Sequence, residues 1–139
     1  MIIKFVTFGE PYSKCRPRFS RKGFAYTPAK TKQNEKDFLS QAIAYRPKEP
    51  LKTDLRIDLT FYMGIPLSKS KKWQERARAG QERPHKRDLD NQIKLIWDAM
   101  NTIFYADDRQ IVELSARKFY SDVPRVEVEI TEVISNERM

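Results

Sequence analysis

An α+β fold, with a small mixed or antiparallel sheet packed against helices, follows from three features of the 139-residue chain. β-type patterns stand at 2–8, 55–63, about 110–120 and 124–133. Helical patterns lie between them, at 28–46, 68–80 and 89–103. The order β-(β)-α-β-α-α-β-β lacks the regular βαβα alternation of a doubly wound sheet. One domain, 1–139, is long enough to enclose a hydrophobic core.

The first strand is "IIKFVTF", rich in β-branched and aromatic residues. Gly9, Pro11, Pro17 and Gly23 interrupt the next stretch, and "FAYT" supplies one short strand before Pro28. The first helix carries a modest apolar stripe of Phe38, Leu39, Ala42 and Ile43, and Pro47 and Pro50 end it. In "LRIDLTFYM", Leu55, Ile57, Leu59 and Phe61 alternate with polar residues, the mark of a half-buried strand. Ser68 is positioned to cap a short basic helix that stops at Gly80. In the main helix Ile93, Ile96, Trp97, Met100 and Phe104 share one arc, with Leu95 far from it, so that helix is expected to be covered on two sides and Leu95 to be a candidate subunit contact. The turn "SDVP" predicts an antiparallel hairpin between the last two strands.

Composition narrows the function. The formal net charge is +8, which favours a polyanionic partner. Lys and Arg outnumber Asp and Glu 11 to 4 in residues 1–50 and 8 to 2 in residues 66–87, and the balance reverses after Asp98. No apolar run approaches the ~20 residues that span a bilayer. The N-terminus alternates where a signal peptide would have an apolar block, so no targeting segment is expected. A single cysteine, Cys15, excludes an internal disulfide framework and suits a reducing cytoplasm. With one histidine, His85, a His/Cys zinc site is excluded within one chain.

Against this basic background, "HKRDLDNQIKLIWDAMN" puts Asp88 and Asp90 at a helix start, after Lys86 and Arg87 and before Asn91. A helix N-terminus favours negative charge, and either aspartate alone reads as an N-cap. Only one residue can cap, and the repulsion within the pair calls for a cation of the Mg²⁺ or Mn²⁺ type. A calcium EF-hand is rejected, because Ile93 and Ala99 stand where its loop needs Gly and Glu. A glycosidase carboxylate pair leaves the basic segments without a use. A metal-dependent phosphodiesterase uses both features, with the cation at the scissile phosphate and Lys/Arg on its neighbours. Asp90, Lys94, Asp98 and Asn101 stack along one stripe of the helix. On that stripe Lys94 serves either to neutralise charge in the reaction or as an i,i+4 salt bridge to Asp90. Asp98 reads as a supporting or structural carboxylate.

"RDLDNQIKLIWDAMN" followed by "DDRQIVEL", together with "FGEPYSKCRPRF" and "YTPAKTKQNEKDF", resembles the RusA family of Holliday junction resolvases over most of the chain. The segment 64–82 lies outside that match. The resemblance implies a homodimeric endonuclease that cuts four-way DNA junctions by paired symmetric nicks, in DNA recombination and repair, with Mg²⁺ or Mn²⁺. It implies Asp88, Asp90 and Asp108 as metal-binding carboxylates, Lys94 as a catalytic lysine, and Asp107 as a less critical neighbour. The family's usual glycine in its K-G-R-P-R opening is Cys15 here. Members often come from phages and prophages.

Lys14, Arg16, Arg18, Lys86 and Arg87 are expected to contact DNA, and Asp107, Asp98 and Asn91 to support the site. Trp73 reads as packing. Asp108 poses a geometric question, since it must fold back along the helix within one chain or come from a partner subunit. A non-catalytic module that binds branched DNA, and a nuclease for flaps or plain duplex, are the competing functions.

Overall fold

Strand β4 (Leu55–Gly64) is the most apolar stretch of alternation in the chain, and Leu55, Ile57, Leu59, Phe61 and Met63 are all buried on one of its faces. Such a strand needs a neighbour on each side. In the computed structural model it has them: β6 (Arg125–Glu132) runs antiparallel on one side and β5 (Ile111–Ser121) parallel on the other. With β1 (Ile2–Phe8) antiparallel on β6, the mixed four-stranded sheet has the order β1-β6-β4-β5. The structure describes residues 1–14, 18–23, 25–26 and 28–134, with only the backbone of 18, 19, 25 and 26.

The expected hairpin between the last two strands is corrected by this order. β5 and β6 run in opposite directions, but β4 lies between them. Gly64 ends β4 opposite Ser121, so residues 122–124 pass over the end of that strand. Two strand spacings are roughly 10 Å, and the four steps from Ser121 to Arg125 can span about 13 Å. The local turn signal was real; what fills the gap is decided by the apolar face of β4. The expected short strand in "FAYT" is present. Its residues Ala25–Tyr26 (β3) pair with Arg18–Phe19 (β2) in a separate two-stranded sheet.

A parallel pair requires a long crossover, and here it contains α2 (Lys71–Arg78) and α3 (Leu89–Met100). Ser70, not Ser68, caps α2, accepting the Trp73 N–H. Trp73 packs edge-on against Tyr120 of β5, with ring centroids 5.3 Å apart. α3 lies in the core with α1 (Ala29–Ala42) beside it. Gln92, Ile93, Leu95, Ile96, Ala99 and Met100 are all buried, so α3 is covered on two sides as expected. Leu95 is only 3% exposed and lines a cavity with Phe8, Pro11 and Tyr12. It is a contact within its own chain, not the candidate subunit contact.

α3 stops at Met100, three residues before the expected end. Asn101 leaves the helix and Thr102 takes a left-handed backbone, with φ 68°. This turn carries Phe104 and Tyr105 back into the core. Backbone hydrogen bonds between Leu51 and residues Phe104 and Ala106 fix the returning chain, and the Tyr105 hydroxyl donates to Trp97 O.

Replacing Leu95 with Ala is expected to cost about 2–5 kcal/mol of stability in urea denaturation, as for other buried leucines. A surface leucine would lose far less.

Candidate nucleic-acid cleavage site

Arg87, the residue that leads into α3, is not glycine yet has φ 68°. A left-handed backbone costs a residue with a Cβ about 1–2 kcal/mol, so it persists only where neighbours hold it. Three contacts do so. The Arg87 guanidinium lies 3.6 Å from Glu10 Oε1 and 4.8 Å from the Tyr12 ring centroid. The Lys118 ammonium donates to Arg87 O at 2.5 Å. Glu10 is itself tied to the sheet, since its Oε2 accepts the Gly64 N–H at 3.0 Å.

Asp88 follows in the N-cap position with extended backbone, but its carboxylate makes no capping bond. Asp90 sits in the first turn. Both are exposed, and among the described residues neither carboxylate takes a hydrogen bond or ion pair. Like-charged carboxylates without a direct partner at the helix start are thus left to the solvent, favoured by the helix dipole and by the nearby charge of Lys118. They line one cleft with Arg83, His85, Arg87 and Lys118. Burial pulls the Lys118 ammonium below the usual lysine range, and the nearby charge of Asp88 opposes that shift.

The donor set fits a hard cation. Mg²⁺ is usually held by one or two carboxylates plus water and substrate phosphate. Asp88 and Asp90 would supply those two, from one end of α3. Lys94 is exposed one turn on from Asp90. Lys86 and His85 are exposed beside the pair.

Asp108 is elsewhere. It begins a short 3-10 turn (Asp108–Gln110) that leads into β5. Burial raises its carboxyl above the usual range, and Asp107 and Asp98 add to that shift while Arg109 opposes it. The Tyr105 hydroxyl, pushed well above its ordinary range chiefly by burial, also feels Asp108 and Asp98. Asp98 lies about 12 Å along the helix from Asp90 at 1.5 Å per residue. Among the described residues no three His, Cys, Asp or Glu side chains gather as a metal site. Asp107 caps the 3-10 turn, accepting the Arg109 N–H at 2.9 Å, and the Gln110 side chain returns a bond to the Asp107 N–H.

Lys14, Asp98 and Asn91 form one local assembly. The Lys14 ammonium pairs with Asp98, and the Lys14 N–H donates to Asn91 O at 2.9 Å. This lays the end of the opening loop along α3. Glu35, its carboxyl raised chiefly by burial, feels both the Lys14 and Asp98 charges. Arg16 and the side chain of Arg18 lie outside the described residues.

Sequence reasoning passed over Lys118. The signal lay in β5, where residues pair in order with inward-facing β4 positions: Ala116 with Leu59, Lys118 with Phe61, Tyr120 with Met63. A lysine in an inward row is unusual and points at a partner. Arg117 faces the other way and is held there by Asp58 and Thr60, at 2.7 and 2.8 Å. No helix among the described residues is long and apolar enough to cross a membrane.

Comparison with known proteins bears on this arrangement. Residues 9–131 match the family model described as endodeoxyribonuclease RusA. An uncharacterized Bacillus subtilis protein, YqaN, is 42% identical over 137 residues, covering 94% of this chain and 96% of its own. A protein of Lactococcus phage r1t named crossover junction endodeoxyribonuclease rusA is 36% identical over 103 residues, 72% of each chain. The matched span contains the carboxylate pair, Lys94, the second acidic pair and all of β4 and β5, and the chain belongs to the RusA family of endodeoxyribonucleases.

Proposed function

We propose that this protein is a Mg²⁺-dependent endonuclease that resolves Holliday junctions by paired symmetric nicks, in DNA recombination and repair, with Mn²⁺ as a substitute. The observation that carries this reading is the pair Asp88 and Asp90, exposed in a cleft with basic side chains and without a direct hydrogen bond or ion pair among the described residues. The name of the phage relative supports the junction as substrate.

Asp88 and Asp90 would hold the cation, as the one or two carboxylates that Mg²⁺ usually takes from a protein. When bound, a divalent cation there polarises the phosphoryl oxygen and makes water a competent nucleophile at neutral pH. Lys94, a turn away, offsets negative charge that builds on the phosphate and leaving oxygen. Lys86, Arg16 and Arg18 grip flanking phosphates, and the net charge of +8 draws the polyanion in.

The working unit is a homodimer, whose two-fold axis sets two sites on the related strands of a junction. Asp108 completes the site from the second copy. Two features support this. Asp108 stands among neighbours at the far half of α3, away from Asp88 and Asp90. The short turn that it begins leads into the edge strand β5, whose Val112 and Leu114 are 54% and 44% exposed. Contact through that edge carries Asp108 along with it.

Asp88→Asn, Asp90→Asn and Asp108→Asn test the site. Each is expected to reduce cleavage of a labelled four-way junction by at least about 100-fold, equivalent to about 2.7 kcal/mol. Junction affinity without metal should hold or rise, because a negative charge facing phosphate is gone. Since the Asp88 side chain makes no capping bond, Asp88→Asn should also leave the melting temperature unchanged within about 2 °C. Near-normal cleavage by Asp90→Asn would sink the assignment, and tight binding by wild type without metal-dependent cleavage would favour a non-catalytic module.

The basic opening loop has its own signature. Arg16→Ala with Arg18→Ala should weaken junction binding and lower the slope of log affinity against log salt by about 2, one unit per phosphate contact. An unchanged slope removes both residues from the DNA contact.

A further inference from the structure

We infer that Lys118 is the positioning residue of the carboxylate pair: by holding Arg87 O it fixes the left-handed backbone that aims Asp88 beside Asp90. The inference rests on the cation role proposed for those two aspartates, and goes beyond it to the device that sets their geometry.

Three observations converge. Lys118 occupies the inward row of β5, in register with Phe61 of the central strand, so its stem is fixed by the sheet. Its ammonium reaches across to Arg87 O at 2.5 Å. Arg87 is the residue before Asp88 and sits at φ 68°, a conformation that needs external support in a residue with a Cβ. Glu10 and Tyr12 hold the Arg87 side chain, but among the described residues only Lys118 holds its carbonyl. The peptide plane that carries this carbonyl also carries the Asp88 N–H. Its orientation therefore sets the direction in which Asp88 enters α3. Lys118 also lines the cleft with both aspartates.

A positioning role and a purely electrostatic one predict opposite signs. Removing a nearby positive charge makes any cation site more attractive. Removing the anchor of Asp88 makes the two carboxylates less able to bind one cation together.

The test is Mn²⁺ titration of the full chain without DNA, followed by the paramagnetic signal of free Mn²⁺, with melting temperatures alongside. Lys118→Met should weaken Mn²⁺ binding about 10-fold at a melting temperature near that of wild type. Lys118→Arg, which keeps a charged donor, should stay within about 3-fold. Asp90→Asn serves as the control for the site itself. Equal or tighter Mn²⁺ binding by Lys118→Met, with Asp90→Asn weakened, overturns the positioning role and leaves the cation site standing. No Mn²⁺ binding by wild type overturns both. If Lys118→Met does not fold, Lys118→Gln replaces it: one atom shorter, it cannot reach Arg87 O, and the same two outcomes apply.

Discussion

The position of α3 against the sheet is the constraint on which the site depends. An α-helix is a rigid rod, and this one is buried over most of its circumference, by Ile93 and Ile96 on one side and Leu95 on another. It cannot roll or slide without opening the core. Side chains at its two ends are therefore held apart by a fixed length, about 12 Å between Asp90 and Asp98. Asp88 and Asp90 stand two positions apart at the helix start and Lys94 one turn beyond Asp90, so the three share one end and can act together. Asp108, returned by the turn at Thr102 and the Leu51 hydrogen bonds, joins the other end, near Asp98 and Tyr105.

The entry into α3 is held as firmly as its body. Arg87 is the junction of three separate parts of the chain: Glu10 and Tyr12 from the opening segment, Lys118 from β5, and α3 itself. Glu10 in turn is bonded to the end of β4. The strained residue beside the carboxylates is thus fixed by side chains that are distant in sequence. Strain stored next to a pair of unpaired charges is expected where the geometry of those charges matters more than local stability.

How much of this was legible in the sequence depends on the range of the interaction. The alternation of Leu55 to Phe61 and the apolar arc of α3 are local patterns, and both elements were found close to their limits. The Asp-x-Asp at the helix start was legible for the same reason. The hairpin was misread because turn residues report that the chain reverses, not which strand fills the space between. Leu95 was set apart from the core because periodicity finds one apolar face, and the opening loop that covers the second carries no periodic signal. Lys14 stood out as one of several loop cations; its pairing with Asp98, 84 residues away, has no trace in local sequence. Lys118 was missed for a related reason, since its partner is a backbone carbonyl that any residue supplies.

The central claim, that the proposed cation site takes Asp88 and Asp90 from one copy and Asp108 from another, is tested most directly by mixed dimers. Chains carrying Asp90→Asn and chains carrying Asp108→Asn, each inactive alone, are tagged differently and purified as a heterodimer. If Asp108 acts across the dimer, one of the two sites in that heterodimer is intact and the other carries both changes. Single-strand nicking of the junction then returns, without the paired second nick. If Asp108 acts within its own chain, both sites carry one change each, and the heterodimer stays as inactive as its parents.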